Sequence, residues 1–120
     1  MRNQINSFIL SLVGRTFGNF TFINIDSEIG TFGLNLEDVI SIGVNPFYED
    51  DETISVVAFD YDSEWEVDEY NFPHELPTND EELEAFKKHY ISLLEVLADK
   101  YCDYENDVIK DGDLEDIKLW

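Results

Sequence analysis

Positive charge is scarce in this chain of 120 residues: seven Lys and Arg stand against 28 Asp and Glu, a formal charge of −21. So strong an anion repels nucleic acid and anionic membrane, which excludes direct DNA or RNA binding, and it attracts cationic partners. Cysteine is scarcer still. Cys102 is the only one, so no intramolecular disulfide can form, and a chain of this kind suits a reducing, cytoplasmic compartment. Its neighbour Asp103 disfavours the thiolate, which argues against a nucleophile.

Residues that bind metals or carry out reactions are equally sparse. His74-Glu75 is followed by Thr78 where a zinc-binding H-E-x-x-H needs its second histidine. His89, the other histidine, has no Cys or His one helical turn away to share a metal. D-G-D-L-E-D at 111–116 lacks the order of a calcium loop. No P-loop, dinucleotide-binding glycine fingerprint or G-x-S-x-G is present. With 28 acids some carboxylates must lie close together, but nothing distinguishes one pair as an acid–base couple. The expectation is therefore a protein that is not an enzyme and takes no cofactor or metal. Long apolar runs are missing too: M-R-N-Q-I-N-S-F-I-L-S-L-V-G-R is too short and too interrupted to span a bilayer or to serve as a secretory segment.

The chain does have the means to make a core. A hydrophobic fraction of 43% and an aromatic fraction of 14% support one domain over residues 1–120, with a loosely ordered tail from about 103. The charge is unevenly spread. Over residues 1–47, Arg2 and Arg15 against Asp26, Glu28, Glu37 and Asp38 give −2, whereas over residues 48–120 five lysines against 24 acids give −19.

Ile5, Phe8, Ile9, Leu12 and Val13 fall at i, i+3, i+4, i+7 and i+8, the stripe of an amphipathic helix that Gly14 or Gly18 can end. Phe20–Ile25 and residues near 30–36 read as a β-hairpin. Over residues 36–44, the β-branched Val39, Ile40, Ile42 and Val44 favour a strand at 39–44 over a short helix capped by Asn35. Asn45-Pro46 is expected to break the chain, with an acidic turn after it, and Thr53–Tyr61 is the strongest strand. Phe72-Pro73 and Leu76-Pro77 suggest an extended linker. Thr78 or Asn79 then caps a long helix over 79–101, with acids in its first turn and an apolar stripe of Leu83, Phe86, Tyr90, Leu93, Leu94, Leu97 and Tyr101. The expected fold is α+β: a mostly antiparallel sheet of four to five strands packed against that helix, with the shorter N-terminal helix beside it.

The most informative stretch is Ala58–Tyr70, A-F-D-Y-D-S-E-W-E-V-D-E-Y. Acids occupy alternate positions, and in an extended chain alternate positions share a face. A single strand of this length is unusual, so a turn is expected at Asp62-Ser63. Tyr61 then faces Glu64, Asp60 faces Trp65, Phe59 faces Glu66, Ala58 faces Val67 and Val57 faces Asp68. Same-face carboxylates ~7 Å apart repel by ~0.6 kcal/mol per pair even in water. Charge on a strand can serve solubility or keep a sheet edge from pairing, but five acids in alternation exceed that need.

Phe59, Asp60, Tyr61, Asp62, Glu64, Trp65, Glu66 and Asp68 are thus the candidate partner-binding residues. Carboxylates set among aromatic anchors fit a cationic protein surface, such as the Lys- and Arg-lined active site of a nuclease. Small size, acidity and the lack of a catalytic motif are similar in composition to bacterial immunity proteins and antitoxins. The expected function is that of an inhibitor of a basic partner, most simply a cognate toxin. The alternative is DNA mimicry of the anti-restriction kind. It fits less well, because duplex DNA presents one charge per ~1.7 Å and a strand face one per ~7 Å.

Overall fold

The N-terminal apolar stripe forms the expected helix, α1 (Arg2–Ser11), in which Ile5 and Ile9 are buried and Phe8 is half-buried; Leu12 just beyond it is buried, but Val13, the last member of the expected stripe, lies in the following turn and is exposed. Gly14, at φ 93°, turns the chain out of the helix through a conformation that favours glycine. Its N–H donates to the Phe22 carbonyl at 2.8 Å, which ties the helix end to the sheet.

The computed structural model describes residues 2–26, 31–36, 40–48, 53–60, 65–73 and 75–101. After α1 come β1 (Thr16–Phe17), β2 (Phe20–Asp26), β3 (Thr31–Leu36), β4 (Ile40–Tyr48), β5 (Thr53–Asp60), β6 (Trp65–Pro73) and α2 (Asp80–Lys100). The strands form one antiparallel sheet in the order β1-β2-β3-β4-β5-β6, each paired with its neighbour in sequence. Five strands have six residues or more, and β1 is a two-residue addition. The α+β class, the antiparallel sheet and the two helices of unequal length are as the sequence suggests.

Strand alternation sends one set of residues into the core. Phe22, Leu34, Ile42 and Ala58 lie opposite one another across β2 to β5 and are all fully buried. Phe20, Ile40, Val44, Ile54 and Val56 extend this layer. Both helices cover the same face, α2 with Leu83, Phe86, Tyr90, Leu93, Leu94, Leu97 and Ala98. Tyr90 sits at the centre. Its ring meets Phe8 and Phe22 edge-on at 6.1 and 6.3 Å and stacks on Phe86, and its hydroxyl donates to the Val44 carbonyl at 2.9 Å. Complete burial pushes the ionisation of this phenol far upward, so Tyr90 is a neutral donor.

The long helix begins where its sequence indicates. Asn79 Oδ1 accepts from the Glu82 N–H at 2.8 Å, and Glu82 reaches back to accept from the Thr78 N–H at 2.7 Å and the Thr78 hydroxyl at 2.8 Å. These bonds hold the Glu82 carboxyl below its usual ionisation range.

Three expectations need correction. Asn45-Pro46 does not end a strand: β4 runs on to Tyr48, with its register against β5 shifting between Asn45 and Tyr48. A proline has no N–H for the ladder, and a bulge is where a sheet tolerates that loss. Nor is Phe72-Pro73 a linker, because β6 continues through it and Pro73 lies opposite Thr53 at the end of an edge strand. The third concerns the β5–β6 register. Phe59 pairs with Glu66 and Asp60 with Trp65 as expected, but Ala58 then pairs with Asp68 and Val57 with Glu69, leaving Val67 as an extra residue on β6. Perfect alternation in the sequence conceals such a bulge, since the inserted Val67 is itself a good strand residue.

Candidate functional site

Positions alternating with the core set form the second face of the sheet. The core takes none of them: Thr21, Ile23, Asn35 and Val57 are half-buried, and Phe59 is 43% exposed. Two cross-strand rows run over this face. Thr21, Asn35, Ser41, Phe59 and Glu66 are successive partners from β2 to β6, as are Ile23, Gly33, Gly43, Val57 and Glu69. With strands ~4.8 Å apart, each row spans ~19 Å.

Small residues lie along the middle of the platform. A side chain on Gly33 would drive into the Ile42 carbonyl and come within 2.8 Å of the Gly43 Cα, so the close approach of β3 and β4 admits only glycine. Ser41 is buried at 3% exposure, and its hydroxyl donates to Asn35 Oδ1 at 2.9 Å. The result is a low, polar centre with one large apolar side chain beside it. Among the residues whose side-chain burial is described, Phe59 is the only large hydrophobic exposed on the sheet; Leu10, Val13 and Val96 belong to α1, the turn after it and α2.

The sequence candidates are distributed as follows. Phe59 and Asp60 end β5, Trp65 and Glu66 begin β6, and the pairs Phe59–Glu66 and Asp60–Trp65 bring these four positions together at one end of the hairpin. For Asp60, Trp65, Glu66 and Asp68 it is the backbone register that is described. Tyr61, Asp62 and Glu64 lie outside the described residues, as do Ser63, His74, Cys102 and the acidic 111–116 segment. Asp68 falls opposite Ala58, a core position, and the bulge at Val67 removes it from the alternate row that Glu66 shares with Phe59. The acidic row is therefore shorter than strict alternation implies. It also lies on β6, which among the described strands is bonded to β5 alone.

Asn35 and Ser41 were not among the sequence candidates. Each stands between two apolar residues of its own strand, Leu34 and Leu36 or Ile40 and Ile42, which marks the outward face. Only the register across four strands shows that they share a row with Phe59.

Elsewhere, a cleft beside the start of α2 is lined by Glu75, Pro77, Glu82, Phe86 and His89. Another, between α1 and α2, is lined by Asn3, Gln4, Ser7, Phe8, Leu83 and Lys87. In the latter, Lys87 bonds Glu84 at 3.1 Å and stands 5.7 Å from the centre of the Phe8 ring. Among the described residues, no three His, Cys, Asp or Glu side chains are grouped to hold a metal. No helix among them is long and apolar enough to cross a membrane. The chain shows no significant similarity to any family model, curated protein or solved structure, so function has to be argued from the surface itself.

Proposed function

We propose that this protein is a small acidic inhibitor that binds and neutralises a basic partner protein, in the manner of immunity proteins and antitoxins, and that the partner is a bacterial nuclease toxin in the cytoplasm. One observation carries this reading: Phe59, exposed on the sheet face opposite the one that α1 and α2 cover, is paired across the β5–β6 hairpin with Glu66, and the next pair is Asp60 with Trp65. Aromatic anchors flanked by carboxylates suit a surface of Lys and Arg, where the ring supplies buried area and the charges supply orientation and fast association. A nuclease active site is such a surface, because it must hold phosphates. Inhibition is by coverage and needs no chemistry from the inhibitor.

The contact set is centred on Phe59, Asp60, Trp65 and Glu66, with Tyr61, Asp62, Glu64 and Asp68 next to them in sequence. Mimicry of DNA is the weaker reading. The bulge at Val67 shortens a row of charges that was already too sparse for a duplex.

The test is capture from the native host on wild-type bait and on Glu66→Lys bait in parallel. The inhibitor reading expects one basic protein at near-stoichiometric yield on the wild type and its loss on the variant, with nuclease activity of the captured protein restored when the complex is dissociated in high salt. Equal capture on both baits, or a captured partner that is not basic, overturns it.

A further inference from the structure

Ser41 is 3% exposed and Ser55 4%, yet both alternate with core residues of β4 and β5 and so stand on the sheet face away from α1 and α2. Ser55 is one strand over from Ser41 and ~14 Å away. Between them lies Gly43, buried without a side chain of its own, and opposite it Gly33 is buried as well. Phe59 can shade Ser41, but the cross-strand neighbours of Gly43 are Gly33 and Val57 and those of Ser55 are Asn45 and Asn71, none of them large. Neighbours of this size do not hide a sheet face from water. Something lies over it, and because the burial is that of one chain alone, the cover belongs to the chain itself.

We propose that residues 102–120 pass round the β1 edge of the sheet and lie over this face, with Trp120 seated in the trough at Gly33 and Gly43. Length selects the segment. The strand connections outside the described residues, 27–30, 37–39, 49–52 and 61–64, are short and tied at both ends. To cover both serines and the glycine between them, connections from opposite ends of the sheet would have to fold back and meet fully extended. Residues 102–120 are under no such limit. They start from Tyr101 at the end of α2, whose last turn packs on the turn between β1 and β2: a Cβ on Gly18 would stand 3.9 Å from that of Ala98. The route round that edge to the far face is ~15–20 Å and the strand spacings from β1 to β5 add ~19 Å, together about 11 or 12 extended residues. That length brings Leu114, Ile117, Leu119 and Trp120 over β4 and β5.

The face is shaped to receive them. Gly33 and Gly43 pair across β3 and β4 and leave bare backbone between Ile23 and Val57, which stand half-buried at the two ends of the same row. The trough is ~14 Å from end to end, enough for a flat ring, and indole is the largest apolar group the segment carries. Phe59 remains 43% exposed, so the contact with a basic partner is left open.

The experiment is fluorescence of the full chain carrying Trp65→Phe, which leaves Trp120 as its one tryptophan. Acrylamide should quench Trp120 several-fold less than it quenches N-acetyltryptophanamide, and the emission should be shifted to the blue. Ser41→Lys and Ser55→Lys, added singly, each push a long charged side chain under the cover and should raise the quenching towards that of the free amide. Glu95→Lys, at an exposed position on α2, also adds a lysine and should leave Trp120 as it was. Circular dichroism and cooperative unfolding verify the fold, and where a lysine variant fails to fold, Ser41→Gln and Ser55→Gln make the same test with a smaller intrusion. A Trp120 quenched like the free amide in the Trp65→Phe chain overturns the proposal. So does a protected Trp120 that neither face substitution releases, or one that Glu95→Lys releases equally. No basic partner takes part in these measurements, so the inhibitor reading stands or fails separately.

Discussion

Replacing Phe59 by alanine separates a binding role from a structural one. A phenylalanine side chain offers 150–250 Å² to burial, and the 43% still exposed in the isolated protein leaves roughly 65–110 Å² for a partner to cover. At about 25 cal/mol per Å² this is ~1.6–2.7 kcal/mol, which corresponds to a roughly 15- to 100-fold weaker Kd for Phe59→Ala. Stability should change little, because the ring lies outside the core cluster. A loss of ~1 kcal/mol, about 4 °C in Tm, is the most that a partly exposed ring justifies. Isothermal titration against the captured partner gives the first number and thermal unfolding the second. The Kd should also rise with salt for both proteins while the ratio between them stays constant, since the deleted group is apolar. The reasoning is refuted if Phe59→Ala binds within about twofold of wild type, or if it unfolds so much earlier that its loss of binding reflects loss of structure.

Three further outcomes test the scaffold. Gly33→Ala places a methyl group against the backbone of β4, and overpacking of that kind should cost about 1–3 kcal/mol or more, seen as a Tm lower by at least several degrees. Tyr90→Phe keeps the ring contacts and removes the bond to Val44, for a loss of ~1–2 kcal/mol in chemical denaturation at neutral pH. Because burial raises the Tyr90 pKa, its contribution is complete below about pH 10 and is lost as pH rises further, where the unfolded chain ionises and the folded one does not, so the gap between wild type and variant should close in alkali. For Glu82 the sign is opposite. Its carboxyl lies below the ordinary 4.5, so its bonds to Thr78 add stability above that pH and lose it as pH falls through the lowered value; melting curves of wild type and Glu82→Gln should converge in acid.

Local signals in the sequence carried much of this fold. Asn79, the acids after it and an unbroken apolar stripe specify α2 to within a residue of its observed ends, because capping and helical periodicity are properties of a few turns. The pairing of Phe59 with Glu66 and Asp60 with Trp65 follows from counting outward from a two-residue turn. Counting fails at the next residue, Val67, where a bulge leaves no mark in composition. Pro46 and Pro73 were misleading for a related reason: proline ends a strand only where its missing N–H is needed, and a register shift and a sheet edge both waive that need. The row from Thr21 to Glu66 could not be read at all, since it depends on the mutual offset of five strands, and an offset accumulates over four successive pairings that no one strand records.

The up-and-down order of the sheet also determines how this chain reaches its fold. Each strand finds its partner across a short connection, so no step of sheet assembly has to close a long loop before its contacts repay the lost entropy. The hairpins can zip from any starting point. Among the described residues, the seating of α2 against α1, β1, β2 and β4 joins distant parts of the chain, and that docking is where the barrier to folding should lie.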